Sequence, residues 1–242
     1  APLGTGFFST KVSTAGIASV AGRTATGESF TSSGGLGPQG QMGACQPLYK
    51  NKGSITGLFK AELTEGFIPA SNTLTGNWSW TKPADSTRSY AEGFSLTGIT
   101  VSGGFLSSKA GSGLVLGLPA AGTASLSFTD GGLGLSDTEP DVANFGYTDK
   151  FIIQMPTAGT PANEARASLA INKATGQVSG SFTLAEDGSS MKRKVSFLGM
   201  IIPDASGEIK AQGYFLLAQL PGAGEKATAT PILSGGMQVT QP

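Results

Sequence analysis

Phe182-Thr183-Leu184 and Val195-Ser196-Phe197 alternate apolar with polar residues, and so do Ser125-Leu126-Ser127-Phe128 and Trp78-Ser79-Trp80. A period of two puts every second side chain on one face of an extended chain, whereas a helix needs a period of 3.6. These stretches therefore read as half-buried strands. Glycine punctuates the sequence between them, at Ala15-Gly16, Thr26-Gly27, Thr56-Gly57, Thr75-Gly76, Thr97-Gly98, Thr175-Gly176, Asp187-Gly188 and Ser206-Gly207. Gly adopts the positive φ of tight hairpins without steric cost, so each pair is read as a turn. About fifteen short strand candidates result, the pattern of an antiparallel sandwich or barrel. Helical signals are few. Asn163-Glu164-Ala165-Arg166-Ala167 leads straight into the alternating Ser168-Leu169-Ala170-Ile171 and reads as the approach to a strand. A short turn of helix fits around Asp137 to Phe145.

Composition narrows the chemistry. Of 242 residues, 37 are Gly and 52 are Ser or Thr, against 32 charged residues balanced at 16 basic and 16 acidic. There is no His and one Cys. The commonest general base and metal ligand is thus absent, which removes Ser-His-Asp and Cys-His catalysis and the usual zinc and haem sites. No enzyme activity is expected. Zero net charge argues against a nucleic-acid surface. One Cys forms no intrachain disulfide, and a chain of this length buries enough apolar surface without one. The hydrophobic content of 38%, spread in short patterned runs, argues against disorder.

No apolar run reaches the ~18 residues of a membrane-spanning helix. The few Tyr and Trp do not supply the aromatic girdles of an outer-membrane barrel. No charged segment followed by an apolar one opens the sequence, so no signal peptide is expected within it. Ala1-Pro2-Leu3 reads as following a cleavage site or as the edge of a longer protein. A Gly/Ser/Thr-rich, charge-poor composition associates with exported bacterial surface proteins.

The expected architecture is all-β, an antiparallel β-barrel or sandwich built from two related meander halves. It forms one domain over 1–242, with an N-terminal half about 1–100, a Gly-rich central region about 101–160 and a C-terminal half about 161–242. The suggested internal repeat matches Lys11 to Gly22 with Ala170 to Gly180, each a strand, a turn Gly and a second strand. It also matches Leu48 to Phe59 with Ile201 to Phe215.

An ordered series of motifs runs through the chain: Val12…Gly16…Gly22…Gly27, Leu48-Tyr49-Lys50…Lys52-Gly53-Ser54…Gly57, Leu74…Gly76…Trp80…Lys82-Pro83 and Tyr90…Gly93-Phe94. It continues with Thr175-Gly176…Ser179-Gly180-Ser181-Phe182, Val195…Phe197…Gly199, Gly213-Tyr214-Phe215-Leu216-Leu217 and Ser234-Gly235. The series resembles an uncharacterised all-β domain that recurs in large exported, multidomain bacterial cell-surface proteins. The resemblance spans nearly the whole chain and departs at Thr26, where an Asp is expected before Gly27. It implies an exported, surface-associated, multidomain setting and carries over no activity.

The candidate ligand or interface residues are Trp78, Trp80, Tyr90 and Phe94. Two residues apart, the tryptophans share a strand face. Exposed, they form a platform for sugar rings; buried, they are core or interface aromatics, the plainer reading. Tyr90 and Phe94 are their expected cross-strand partners. Asp130, Asp137, Glu139, Asp141 and Asp149 crowd one region, and Asp137, Glu139 and Asp141 are the candidate calcium ligands. They lack an EF-hand pattern, so solvated loop charge is preferred and no cofactor is expected. Cys45 is expected as a buried small hydrophobe. Lys192-Arg193-Lys194 reads as a solvated strand end, and Asn77-Trp78-Ser79 is a lone glycosylation sequon.

These readings point to a non-catalytic structural or interaction module of an extracellular, bacterial cell-surface protein. A self-assembling filament or surface layer is one form of that role. The partners would be itself or neighbouring modules, or polysaccharide, without nucleic acid. The alternative is a carbohydrate-binding or adhesion module using Trp78 and Trp80.

Overall fold

A computed structural model describes residues 1–62, 73–104, 121–135, 138–148, 152–185, 192–203 and 209–241. Fifteen strands run through them: β1 (Phe7–Val12), β2 (Ile17–Arg23), β3 (Ser29–Gly35), β4 (Gln41–Leu48), β5 (Gly53–Glu62), β6 (Thr73–Lys82), β7 (Phe94–Gly104), β8 (Ala121–Asp130), β9 (Val142–Thr148), β10 (Ile153–Gln154), β11 (Ser168–Ile171), β12 (Gln177–Ala185), β13 (Lys192–Pro203), β14 (Ile209–Ala218) and β15 (Ile232–Thr240). The described helical structure is a 3-10 turn at Leu133–Leu135. The chain is all-β, and every strand pair is antiparallel.

Three sheets result, ordered β1-β2-β3, β4-β5-β6-β7 and β10-β9-β8-β15-β14-β13-β12-β11. The eight-stranded sheet curls until its outer strands β10 and β11 approach each other, so it is a nearly closed barrel. The expected helical turn near Phe145 is not formed, because Val142 to Phe145 open β9 instead. The central stretch of sequence thus supplies β8, β9 and β10 to the large sheet. The turns expected at Gly188 and Gly207 lie outside the described residues.

Two apolar cores form. The first fills the barrel with Leu126, Phe128, Phe182, Leu184, Phe197 and Phe215 among others. The second lies under β1–β7 and gathers Phe30, Met42, Phe59, Trp78 and Trp80. β13 and β14 are the wall between them. Val195, Phe197, Phe215 and Leu217 point into the barrel, while Leu198, Tyr214 and Leu216 pack against the second core. Strict alternation thus makes a strand pair with two apolar faces.

Glycine has two separate jobs here. Gly16 and Gly176 have φ of +74° and +72° and close the β1–β2 and β11–β12 hairpins, as expected. Gly57, Gly76 and Gly98, however, are not hairpin turns. They lie within β5, β6 and β7, with Gly98 at φ +73° where the β6–β7 register shifts. Gly57 is paired directly with Trp78, and a Cβ there would overlap the indole. The same arrangement recurs as Gly180 against Phe197, Gly235 against Phe215, and Gly22 between Phe8 and Phe30. A ring laid across a glycine of the next strand packs against bare backbone, which no larger residue permits.

Gly180→Ala and Gly57→Ala are expected to lose about 1–3 kcal/mol each, the usual cost of overpacking a filled core. Gly35→Ala meets nothing within 4 Å and is expected to stay within about 0.5 kcal/mol of the parent. Urea unfolding of the three variants separates the two kinds of glycine.

Candidate functional site

β6 sends Trp78, Trp80 and Lys82 to its inner face, because each is two residues from the next. Both indoles are 4% exposed. The sugar platform expected as the alternative therefore loses the exposure it requires, and the plainer core reading holds at these two positions. The reason is that the outer positions of β6 are taken by Thr73, Thr75, Asn77, Ser79 and Thr81, which leaves the rings facing inward.

The two tryptophans join different clusters. Trp78 stacks on Phe8 with ring centroids 4.9 Å apart and meets Phe30 and Phe59 at 5.8 and 6.5 Å. Its Nε1 has no hydrogen-bond partner among the described residues. Trp80 meets Phe94 edge-on at 4.7 Å, and Phe94 meets Tyr90 edge-on at 5.8 Å. Three of the four candidate aromatics thus come together, and Trp78 stands apart.

Around Trp80 lies a polar cluster that the sequence reading missed. Trp80 Nε1 donates to Tyr49 Oη at 3.1 Å, and Thr26 Oγ1 lies 3.4 Å from the same oxygen. Burial pushes the Tyr49 phenol above its ordinary pKa, against the lowering effect of these two hydrogen bonds. Tyr49, Lys50 and Asn51 form a left-handed run with φ of 54°, 58° and 67° in the β4–β5 connection, a strained conformation for residues other than Gly. The ring of Tyr49 anchors it. Lys82 Nζ sits 5.4 Å from that ring's centroid and 2.8 Å from Asp85 Oδ2. Lys82 is 4% exposed. The hydrogen bond from Lys82, then those from Thr87, hold the Asp85 carboxyl at about 2. Chemically this is a matched cation and anion under an aromatic lid, which fastens the loop after β6 to the β4–β5 turn. Its signal in the sequence is Lys82 itself, a lysine continuing the inward series begun by Trp78 and Trp80.

The loop continues to a second anchor. Tyr90, at φ 52°, accepts a hydrogen bond at Oη from Ser234 N at 2.9 Å. Arg88 donates to Thr230 O at 2.6 Å, Thr230 Oγ1 at 2.9 Å and Ala227 O at 3.0 Å. Ser234, itself buried, donates through Oγ to Ala25 O at 2.6 Å.

Of the candidate calcium ligands, Asp137 lies outside the described residues, as does Asp149. Glu139 is exposed. Asp141 accepts from Phe128 N at 2.7 Å through Oδ1, supplying a bond where the β8–β9 ladder ends. Burial raises its pKa, the Phe128 hydrogen bond opposes this, and Glu139 adds to it. Among the described residues no three His, Cys, Asp or Glu gather into a metal-holding group. Cys45 is exposed, contrary to expectation, because the inward positions of β4 belong to Met42, Ala44 and Leu48. Lys192 and Lys194 are exposed, while Arg193 donates to Ala218 O at 2.5 Å. No described helix is long and apolar enough to cross a membrane. No family model matches the sequence, and no curated protein or solved structure matches it either.

Asp85 binds its proton less tightly in the folded chain than in the unfolded one. Its contribution is therefore complete above the ordinary aspartate range and is lost as pH falls through about 4 towards 2. Asp85→Asn is expected to lower the melting temperature at pH 7 and to flatten that acid limb. Lys82→Met is expected to be the milder change, since it leaves only the solvent-reachable Asp85 carboxylate without its partner, whereas Asp85→Asn strands the buried ammonium of Lys82. At Asp141 the contrast is between Ala, which strands Phe128 N–H at a cost of about 1–3 kcal/mol, and Asn, which keeps an acceptor there. Denaturant unfolding of D141A and D141N measures the difference.

Proposed function

We propose that this chain is a non-catalytic structural and interaction module of an exported bacterial surface protein, acting by shape and by assembly with itself or with neighbouring modules. The observation that carries the reading is the outer face of β4–β7. Rows of paired residues cross it as Pro47–Ser54–Thr81–Ser95, Gly43–Leu58–Asn77–Thr100 and Gln41–Lys60–Thr75–Ser102. Leu58, near the middle, is 65% exposed. Lys60 pairs with Glu62 on its own strand at 2.8 Å, so the face is close to neutral throughout. Soluble proteins usually guard exposed sheet surfaces and edges with charge, because repulsion keeps copies apart. A broad face of hydroxyls and amides without that guard favours contact with another neutral surface. The terminal strand β7, Phe-Ser-Leu-Thr-Gly-Ile-Thr-Val-Ser-Gly-Gly, is likewise free of charge.

The resemblance to domains of large exported proteins and the low charge of the whole chain support the extracellular, multidomain setting. The duplication is part of the proposal too: the hairpins around Gly16 and Gly176 share their order of strand, left-handed Gly and strand.

Sedimentation velocity across a wide concentration range, with electron microscopy of the most concentrated sample, tests the reading. Concentration-dependent assembly is expected, and Leu58→Lys with Thr100→Lys is expected to suppress it while leaving the melting curve in place. A chain that stays monomeric throughout overturns it.

A further inference from the structure

The C-terminal strand sits in an unusual position. β15 is the last of the described strands, and it lies inside the eight-stranded sheet, paired with β14 on one side and β8 on the other. Its partner β14 ends at Ala218, directly opposite Ile232, so a two-residue turn would join them. The chain uses residues 219–231 instead. Residues 222–229 of this connection are all exposed. Extended, thirteen residues reach at most ~45 Å, enough to carry β15 well clear of its own sheet.

The place that β15 fills is specific to its sequence. Gly235 lies under the Phe215 ring, Met237 reaches the backbone of Gly199, and Met237 and Val239 enter the barrel core. Without β15, β8 and β14 would each present an unpaired edge flanking an open apolar core, a template for one strand of this register. The contacts that hold the far end of the connection come from the loop after β6. Arg88 binds the Ala227 and Thr230 carbonyls, Ile232 N donates to Arg88 O at 2.9 Å, and Tyr90 Oη receives Ser234 N.

We propose that β15 is an exchangeable strand: it leaves its place between β8 and β14 and fills the same place in a second copy of this chain, where that copy's Arg88 and Tyr90 hold it through the same bonds. The proposal rests on the assembly reading above and adds a strand link between copies to the face contact of β4–β7. Reciprocal exchange closes a dimer, whereas head-to-tail exchange grows a filament. Closure within one chain competes with exchange through its high effective concentration, so crowding of copies favours exchange.

The test uses Ser127 and Gln238, which face each other across β8 and β15. In a Cys45→Ser background, one tagged copy carries Ser127→Cys and a differently tagged copy carries Gln238→Cys. Neither forms an internal disulfide. The double variant in one chain verifies the register by closing internally, and circular dichroism verifies that each single variant folds. The two copies are unfolded, mixed at high concentration, refolded together and oxidised. The expected product is a mixed disulfide dimer, well above the yield from pairing the Gln238→Cys copy with a chain retaining only Cys45. A yield equal to the Cys45 control at every concentration overturns the exchange. If the unmodified chain still assembles by sedimentation in that case, only the exchange fails; if it does not, the assembly reading fails with it.

Discussion

An aromatic ring needs somewhere flat to lie, and in this protein it lies on the backbone of the neighbouring strand. Phe30, Trp78, Phe197 and Phe215 each face a glycine in register, and in each case a single added carbon would occupy the space of the ring. The constraint works in both directions. The ring fixes the glycine, and the glycine fixes the register, because a slip of one residue would put a side chain beneath the ring and turn the apolar set outward. Fifteen strands with similar Ser, Thr and Gly content have many wrong pairings open to them. The ring-on-glycine pairs provide the selection that charge and length do not.

Strand character was legible because it is local. The alternation of Phe182-Thr183-Leu184 or Val195-Ser196-Phe197 needs no knowledge of neighbours, and the turns at Gly16 and Gly176 are equally local. Gly57 and Gly76 were misread for the converse reason. A Thr-Gly pair in mid-strand looks the same as one in a hairpin, and what distinguishes them is an aromatic residue about twenty positions away. The shared face of Trp78 and Trp80 follows from spacing, but spacing is silent on which face is wet. The hydroxyl side chains of the same strand decide that, once β5 and β7 lie alongside.

The polar cluster shows another limit. Lysine is rarely buried without a partner, and the partner of Lys82 lies three residues on, beyond a proline, in a loop whose path no periodicity describes. Nor does Tyr49 announce its role, since its phenol reaches Trp80 from a left-handed turn on another hairpin. Cys45 is the mirror case, an apolar-leaning residue on the outside because its strand phase was already taken by Met42 and Ala44.

The two-faced wall of β13 and β14 also sets a schedule for synthesis. Residues 1–104 contain seven of the strands, but Leu198, Tyr214 and Leu216, which cover their core, are synthesised only after them, beyond β8 to β12. Thr5 waits equally for Gly213, and Gly4 waits longer, for Ser234. Until then the first half has an uncovered apolar side. A chain built this way reaches its native packing only once β14 and β15 have emerged rather than half by half, and their arrival is the event that completes both cores.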